Sequence, residues 1–250
     1  MIGEESFEEA LISSIFEERK RKSGIRTIKM ILERDHDLIV NLKKIIRIKK
    51  KLGLETVIRR RSKYRPLKVV GDEHNSVPNY LDQNFTVDGR DQIYSTDITY
   101  LNYSSGKRAY LSAIKDLYTK EILHYYVSTK PDLELAMNGL DKFYRQLPTT
   151  VRRNLLVHSD QGSHYTSVAY RNLLEELEVM QSMSRKGNCL DNAPIESFFG
   201  HMKDELDLVK CQTVEDLKNR IDKFIDYYNN QRPQWGLKRK TPAEYRGLNL

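Results

Sequence analysis

Cysteine is scarce: Cys189 and Cys211 are the only two, and neither sits in a CxxC or Cys/His spacing. Their scarcity argues against both a disulfide framework and a structural zinc as the source of the fold. No apolar run approaches the roughly 20 residues that a membrane span needs. Nor does a secretory leader open the sequence, so the expectation is a cytoplasmic protein with no membrane partner. A hydrophobic share of 39% beside 31% charged residues argues against disorder. With 250 residues there is room for one large domain and a small one, each with a core.

Charge is unevenly spread. Residues 19–70 hold 19 Lys+Arg against 4 Asp+Glu, while the rest of the chain holds 23 against 31. A basic segment on a mildly acidic body suggests a polyanion-binding module attached to a chemistry domain. Its competitors are an ordinary solvated surface and a helical arm that packs on a partner protein.

Helical spacing of Phe7, Leu11 and Ile15 predicts a first helix over 4–19. A second runs through Ile25, Ile28, Ile31 and Leu32, and a third over 38–51, closed by Gly53. Three short helices would suit a helix-turn-helix-like module over 1–58, with Lys43, Lys44, Arg47 and Lys50 on its last helix as candidate DNA contacts. Lysine and arginine there favour phosphate contacts over base reading. Residues 59–88 read as a linker whose Arg59, Arg60, Arg61, Lys63 and Arg65 can lie along a phosphate backbone.

The remainder, 89–250, reads as a catalytic core. Strand patterns at 92–103, 108–117 and 121–129 suggest an antiparallel meander. A helix over 133–146, a strand at 154–158, a helix over 168–178 and a strand at 179–183 follow, and helices over 193–209 and 214–230 close the series. The order predicts an α/β layer fold with a mixed sheet.

Three acids stand out in this core. Asp97 lies mid-strand, where aspartate is disfavoured. Asp160 ends an apolar strand and precedes Gln161-Gly162, where glycine permits close backbone approach. Glu196 opens a helix that Asn192 can cap and that tolerates Pro194 in its first turn. Ile195, Phe198, Phe199, Met202, Leu206 and Val209 form that helix's apolar stripe, with Glu196 and Lys203 at its margin. Each acid alone is equally readable as a turn, cap or first-turn residue. If they converge, their mutual repulsion calls for a cation, and carboxylate ligands suit Mg²⁺ or Mn²⁺. Two such ions would serve phosphoryl displacement, with Lys203 on a DNA phosphate.

The strings Thr96-Asp97-Ile98-Thr99-Tyr100, His158-Ser159-Asp160-Gln161-Gly162-Ser163 and Gly187-Asn188-Cys189-Leu190-Asp191-Asn192-Ala193-Pro194-Ile195-Glu196-Ser197-Phe198-Phe199 resemble the catalytic core of DDE transposases and retroviral integrases. The likeness is greatest to the second reading-frame product of a bacterial insertion sequence. Lys203, seven residues after Glu196, matches the family's basic residue, and the segments 228–233 and 241–245 look like its closing signature. The resemblance spans about residues 80–247, and more loosely 6–60. It implies a ribonuclease H-like core with a five-stranded mixed sheet, metal ligands at Asp97, Asp160 and Glu196, and metal-dependent DNA cleavage and strand transfer by a homo-oligomer. Double-stranded DNA, as element ends and target, would be the substrate of a nucleoid-associated bacterial protein, with a first-reading-frame protein as a further partner. A catalytically inactive DNA-binding remnant or regulator is the alternative.

Overall fold

The computed structural model describes residues 2–57, 77–185 and 189–248. The basic tract with Arg59, Arg60, Arg61, Lys63 and Arg65, and the linker as far as residue 76, lie outside the described residues. The chain forms two compact units: Met1–Arg65 with Asn230–Tyr245, and Pro66–Asn229 with Arg246–Leu250. The sequence pattern keeps 89–250 together, whereas 230–245 groups with the helical unit. Pairings within that unit explain the grouping. Arg239 pairs with Glu33 at 2.7 Å, Arg34 pairs with Glu244 at 2.9 Å, and the Arg26 guanidinium lies 5.3 Å from the Trp235 ring centre.

In the helical unit, α1 (Ile2–Glu18), α2 (Ile25–Asp35) and α3 (Leu42–Lys51) enclose a core of Ile12, Ile15, Phe16, Ile28, Ile31, Leu32, Val40, Ile45 and Ile48. The inward face of α1 is therefore 12, 15 and 16, rather than 7, 11 and 15. Phe7 is exposed and Leu11 only partly covered, because α1 presents the Ile12–Phe16 ridge to the other two helices. Helix α3 starts later than its apolar pattern suggests, since the Asn41 side chain caps it by accepting from the Lys43 N–H. Gly53, at a positive φ of 61°, ends it as expected.

The core unit is built on a mixed sheet of order β3-β2-β1-β4-β5. Strands β1 (Ile93–Tyr103), β2 (Lys107–Asp116) and β3 (Ile122–Ser128) form the antiparallel meander, and β4 (Leu156–Ser159) and β5 (Met180–Met183) add in parallel. On one face, Leu101, Leu111, Ala113 and Val127 meet two helices, α8 (Ala193–Glu205) and α9 (Val214–Asn230). On the other, Tyr94, Ile114, Leu155 and Val157 meet α4 (Leu133–Met137), α5 (Leu140–Arg145) and α7 (Val168–Glu176). A one-turn helix, α6 (Thr149–Arg152), precedes β4, and α10 (Pro242–Arg246) lies near the end of the chain. Each large apolar side chain so covered contributes about 1.5–3 kcal/mol. Among the described residues no helix is long and apolar enough to cross a membrane.

Two predicted helices are shorter than expected. The helix over 133–146 breaks into α4 and α5 at Asn138-Gly139. Gly139 has a φ of 74°, a Cβ on it would fall 2.9 Å from the His124 ring, and His124 Nε2 lies 3.0 Å from the Asn138 carbonyl. The helix over 193–209 stops at Glu205, where Leu206 turns extended. Leu206 still packs on the core, but Val209 leaves the stripe and is 67% exposed.

Candidate active site

Strand register brings the first two acids together. β1 and β4 pair in parallel as Ile93↔Leu156, Tyr94↔Val157 and Ser95↔His158. The same offset, extended two residues past the last paired positions, would set Asp97 level with Asp160. Asp160 directly follows the carboxyl end of β4, an edge at which such sites gather, and Asp97 comes from the middle of the longer β1 beside it.

Each aspartate is held by its own backbone. The Ile98 N–H donates to Asp97 Oδ1 at 2.7 Å, and the Gly162 N–H donates to Asp160 Oδ1 at 2.9 Å. The close approach anticipated at Gly162 is present: a Cβ there would lie 2.8 Å from Asp160 Oδ1. Glu196, in the first turn of α8, is exposed, while Ile195, Phe198, Phe199 and Met202 anchor the opposite side of the helix in the core.

The three acids sense one another. Burial, the charge of Asp160 and, more weakly, that of Glu196 push Asp97 up to about 7, against the opposing influence of the Ile98 amide and Lys203. Burial and then Asp160 also raise Glu196. Among the described residues, no group of three or more His, Cys, Asp or Glu side chains is assembled as an ion cage. Two strand-borne aspartates thus lie near enough for the charge of Asp160 to act on Asp97, and the helix-borne Glu196 adds a weaker effect.

Lys203 lies in the last turn of α8. Its Nζ donates to Thr99 Oγ1 at 2.5 Å and stands 4.8 Å from the Tyr100 ring centre, so it borders the same strand as Asp97.

The candidate DNA contacts of α3 separate into two groups. Lys43, Arg47 and Lys50 are exposed, at helical spacing, with the exposed Ile46 between them. Lys44 pairs instead with Glu8 of α1. Neighbouring basic residues are engaged within the unit too: Lys51, though exposed, meets Glu9 at 2.5 Å, and buried Lys49 stands 4.0 Å from the Phe16 ring centre.

Two residues beside Glu196 have roles that spacing did not reveal. The carboxylate of Asp191 is fully buried. It accepts from Asn79 Nδ2 at 3.1 Å, Gln83 Nε2 at 2.8 Å and the Arg185 N–H at 2.9 Å. Burial alone would raise its pKa, but the Arg185 guanidinium and these donors hold it below the ordinary carboxylate range. Asn192 occupies the expected cap position but makes no side-chain cap bond. Its amide is committed instead to β1, accepting from Ser95 Oγ at 2.7 Å and donating to the Thr96 carbonyl at 3.4 Å. Pro194 in the first turn leaves fewer amides in need of a cap.

Comparison with known proteins agrees with this architecture. Two integrase core domain models match residues 88–189 and 177–242, and an HTH-like domain model matches 4–62. The InsK protein of insertion sequence element IS150 from Escherichia coli is 35% identical over 94% of this chain and 81% of its own length. A transposase-like protein of Haemophilus influenzae is 38% identical over 84% of this chain and 95% of its own. The transposase of insertion sequence element IS904 from Lactococcus lactis is 30% identical over 95% and 92%. Among solved structures, the HTLV-2 integrase catalytic core in complex with magnesium (trimeric form) aligns with a TM-score of 0.50 at 15% identity, over 63% of this chain and 97% of that one. A simian T-cell lymphotropic virus intasome structure aligns at 0.52 and 13%, over 88% and 74%. These two likenesses show a shared ribonuclease H-like integrase fold. The sequence relatives show more: this chain belongs to the insertion-sequence transposases that carry an integrase core domain behind an HTH-like module.

Proposed function

We propose that this transposase cuts and joins DNA through Asp97, Asp160 and Glu196, acting with Mg²⁺ or Mn²⁺. The observation that carries the reading is the parallel β1–β4 register, which brings Asp97 near Asp160, whose charge Glu196 also senses. The donor set fits such ions: the candidate ligands are carboxylates alone, and hard oxygen ligands suit Mg²⁺ and Mn²⁺ better than zinc. When bound, two such ions supply activation of the attacking oxygen and stabilisation of the leaving oxygen.

The chain's own groups do the positioning. Backbone amides orient one oxygen of each aspartate, and Lys203 at the margin of α8 holds a phosphate of the bound strand. In the cut, a water oxygen bonds to phosphorus as the P–O3′ bond breaks, leaving a 3′-hydroxyl. In the joining step that hydroxyl oxygen bonds to a target phosphorus and displaces the target's own 3′ oxygen. Lys43, Arg47 and Lys50 hold duplex backbone. The bound assembly is a homo-oligomer on paired element ends, with a first-reading-frame protein as an additional partner.

The test uses purified protein, Mg²⁺ and a duplex carrying the terminal inverted repeats that flank its coding region. Cleaved and joined products are expected, and Asp160→Asn should abolish both while keeping DNA affinity. Turnover in that variant would remove Asp160 from the site.

A further inference from the structure

We infer that Asn192, together with Ser95, Thr96 and Tyr165, forms a buried neutral frame that fixes the spacing of the three acids. Asn192 is thereby a positioning residue for metal binding and catalysis. This inference rests on the reading of Asp97, Asp160 and Glu196 as the metal-binding acids.

The frame is linked along the chain to Asp97 and Glu196, and through Gly162 to Asp160. Ser95 and Thr96 directly precede Asp97 on β1, and Asn192 stands four residues before Glu196, at the start of α8. Ser95 Oγ donates to Asn192 Oδ1 at 2.7 Å, and Asn192 Nδ2 donates to the Thr96 carbonyl at 3.4 Å. The strand bearing Asp97 is thus bonded directly to the residue that launches the helix of Glu196. The third acid is reached through Tyr165. Its hydroxyl lies 3.3 Å from Thr96 Oγ1, its N–H donates to the Gly162 carbonyl at 3.0 Å, and the Gly162 N–H donates to Asp160 Oδ1.

Burial and chemistry give these bonds weight. Ser95, Thr96, Asn192 and Tyr165 are all under 4% exposed, so none can exchange its partner for water without opening the core. Asparagine suits the junction because one amide both accepts from Ser95 and donates to Thr96. An aspartate there can only accept and would add a fourth negative charge, while a leucine of similar size does neither. A lone buried asparagine at a helix start would ordinarily cap it; this one leaves the cap unmade and crosses to the strand. From the opposite side, Asp191 is gripped by Asn79, Gln83 and Arg185, so the turn that carries Asn192 is fixed on both flanks. Groups behind metal ligands typically alter metal affinity or activity by about 10–100-fold when removed.

The test compares Asn192→Leu, Ser95→Ala, Ser95→Thr and Tyr165→Phe with the whole wild-type chain. Mn²⁺ affinity is read by electron paramagnetic resonance without DNA. Single-turnover cleavage of the inverted-repeat duplex, duplex affinity and the thermal midpoint are read alongside. Asn192→Leu should weaken Mn²⁺ binding and cleavage by about 10–100-fold while duplex affinity stays within about twofold. Ser95→Ala and Tyr165→Phe, which each delete a single oxygen, should lose several-fold, and Ser95→Thr, which keeps the hydroxyl, should be restored towards wild type. If Asn192→Leu does not fold, the two single-oxygen variants decide. Folded variants with wild-type Mn²⁺ affinity and cleavage overturn the frame while leaving the acid assignment standing. A wild-type chain that neither binds Mn²⁺ nor cleaves overturns the acid assignment and the frame with it.

Discussion

The helical unit and the core unit use charge in opposite ways. In the helical unit basic residues are abundant, yet position on α3 decides which face outward. Lys44 pairs with Glu8 and Lys49 packs over Phe16, while Lys43, Arg47, Lys50 and the Glu9-paired Lys51 stay exposed. In the core the important charges are few, negative and partly shielded, and burial, reinforced by the neighbouring charge of Asp160, carries Asp97 to about 7. Surface ion pairs are worth little singly, so the helical unit tolerates changes of charge. A shielded cluster of like charges does not, because each carboxylate sets the energy of its neighbours.

The sharpest way to break this contrast is Asp160→Asn. Its expected effect is a loss of strand cleavage of at least about a thousandfold with duplex affinity almost unchanged, measured by gel-resolved cleavage beside fluorescence anisotropy. Gly162→Ala comes next. The new methyl would sit 2.8 Å from Asp160 Oδ1, so that carboxylate must turn, and cleavage should fall about 10–100-fold in a folded protein. In the helical unit, changing Lys43, Arg47 and Lys50 together to glutamine should lower the slope of log affinity against log salt by about 0.9 for each phosphate no longer neutralised. A binding titration at salt concentrations from about 50 to 200 mM gives the slope, and an unchanged value would remove α3 from the interface. Lys44→Gln, already paired with Glu8, should change that slope least.

The smallest effect is on stability. Asp97 binds its proton more tightly folded than unfolded, so it favours the fold when protonated; that favour is complete below its ordinary value of 3.8 and is lost as pH rises to about 7. Asp97→Asn should therefore stabilise the chelated protein at about pH 8 by about 2 kcal/mol, partial exposure trimming the full shift. Little gain is expected near the ordinary aspartate value, at about pH 4. Thermal melts in chelator across that range check the sign, and a variant less stable than wild type at the alkaline end would refute it.

Much of the core was legible because period and punctuation are local. The three meander strands, α9 and the strand-ending Asp160 follow from apolar alternation and turn residues. The helical unit was legible in its number of helices but not in the inward face of α1, since Phe7, Leu11 and Ile15 satisfy a helical period as well as Ile12, Ile15 and Phe16 do. Breaks were missed where a distant group imposed them. His124, from β3, engages the Asn138 carbonyl and closes α4. The tail over 230–245 read as part of the core because its pairing with Glu33 and Arg34 spans more than 200 residues of sequence.

By itself, then, the sequence determined which residues can form strands and helices, where the basic charge gathers, and that Asp97 stands in a strand that disfavours aspartate. Tertiary structure decided what those residues face. Parallel pairing brought Asp97 near Asp160, and Ser95 drew the Asn192 amide away from its cap. The physical reason is one of range. Backbone propensity and hydrophobic period act over a few neighbours, whereas a buried hydrogen bond takes whichever partner the packed sheet brings within about 3 Å.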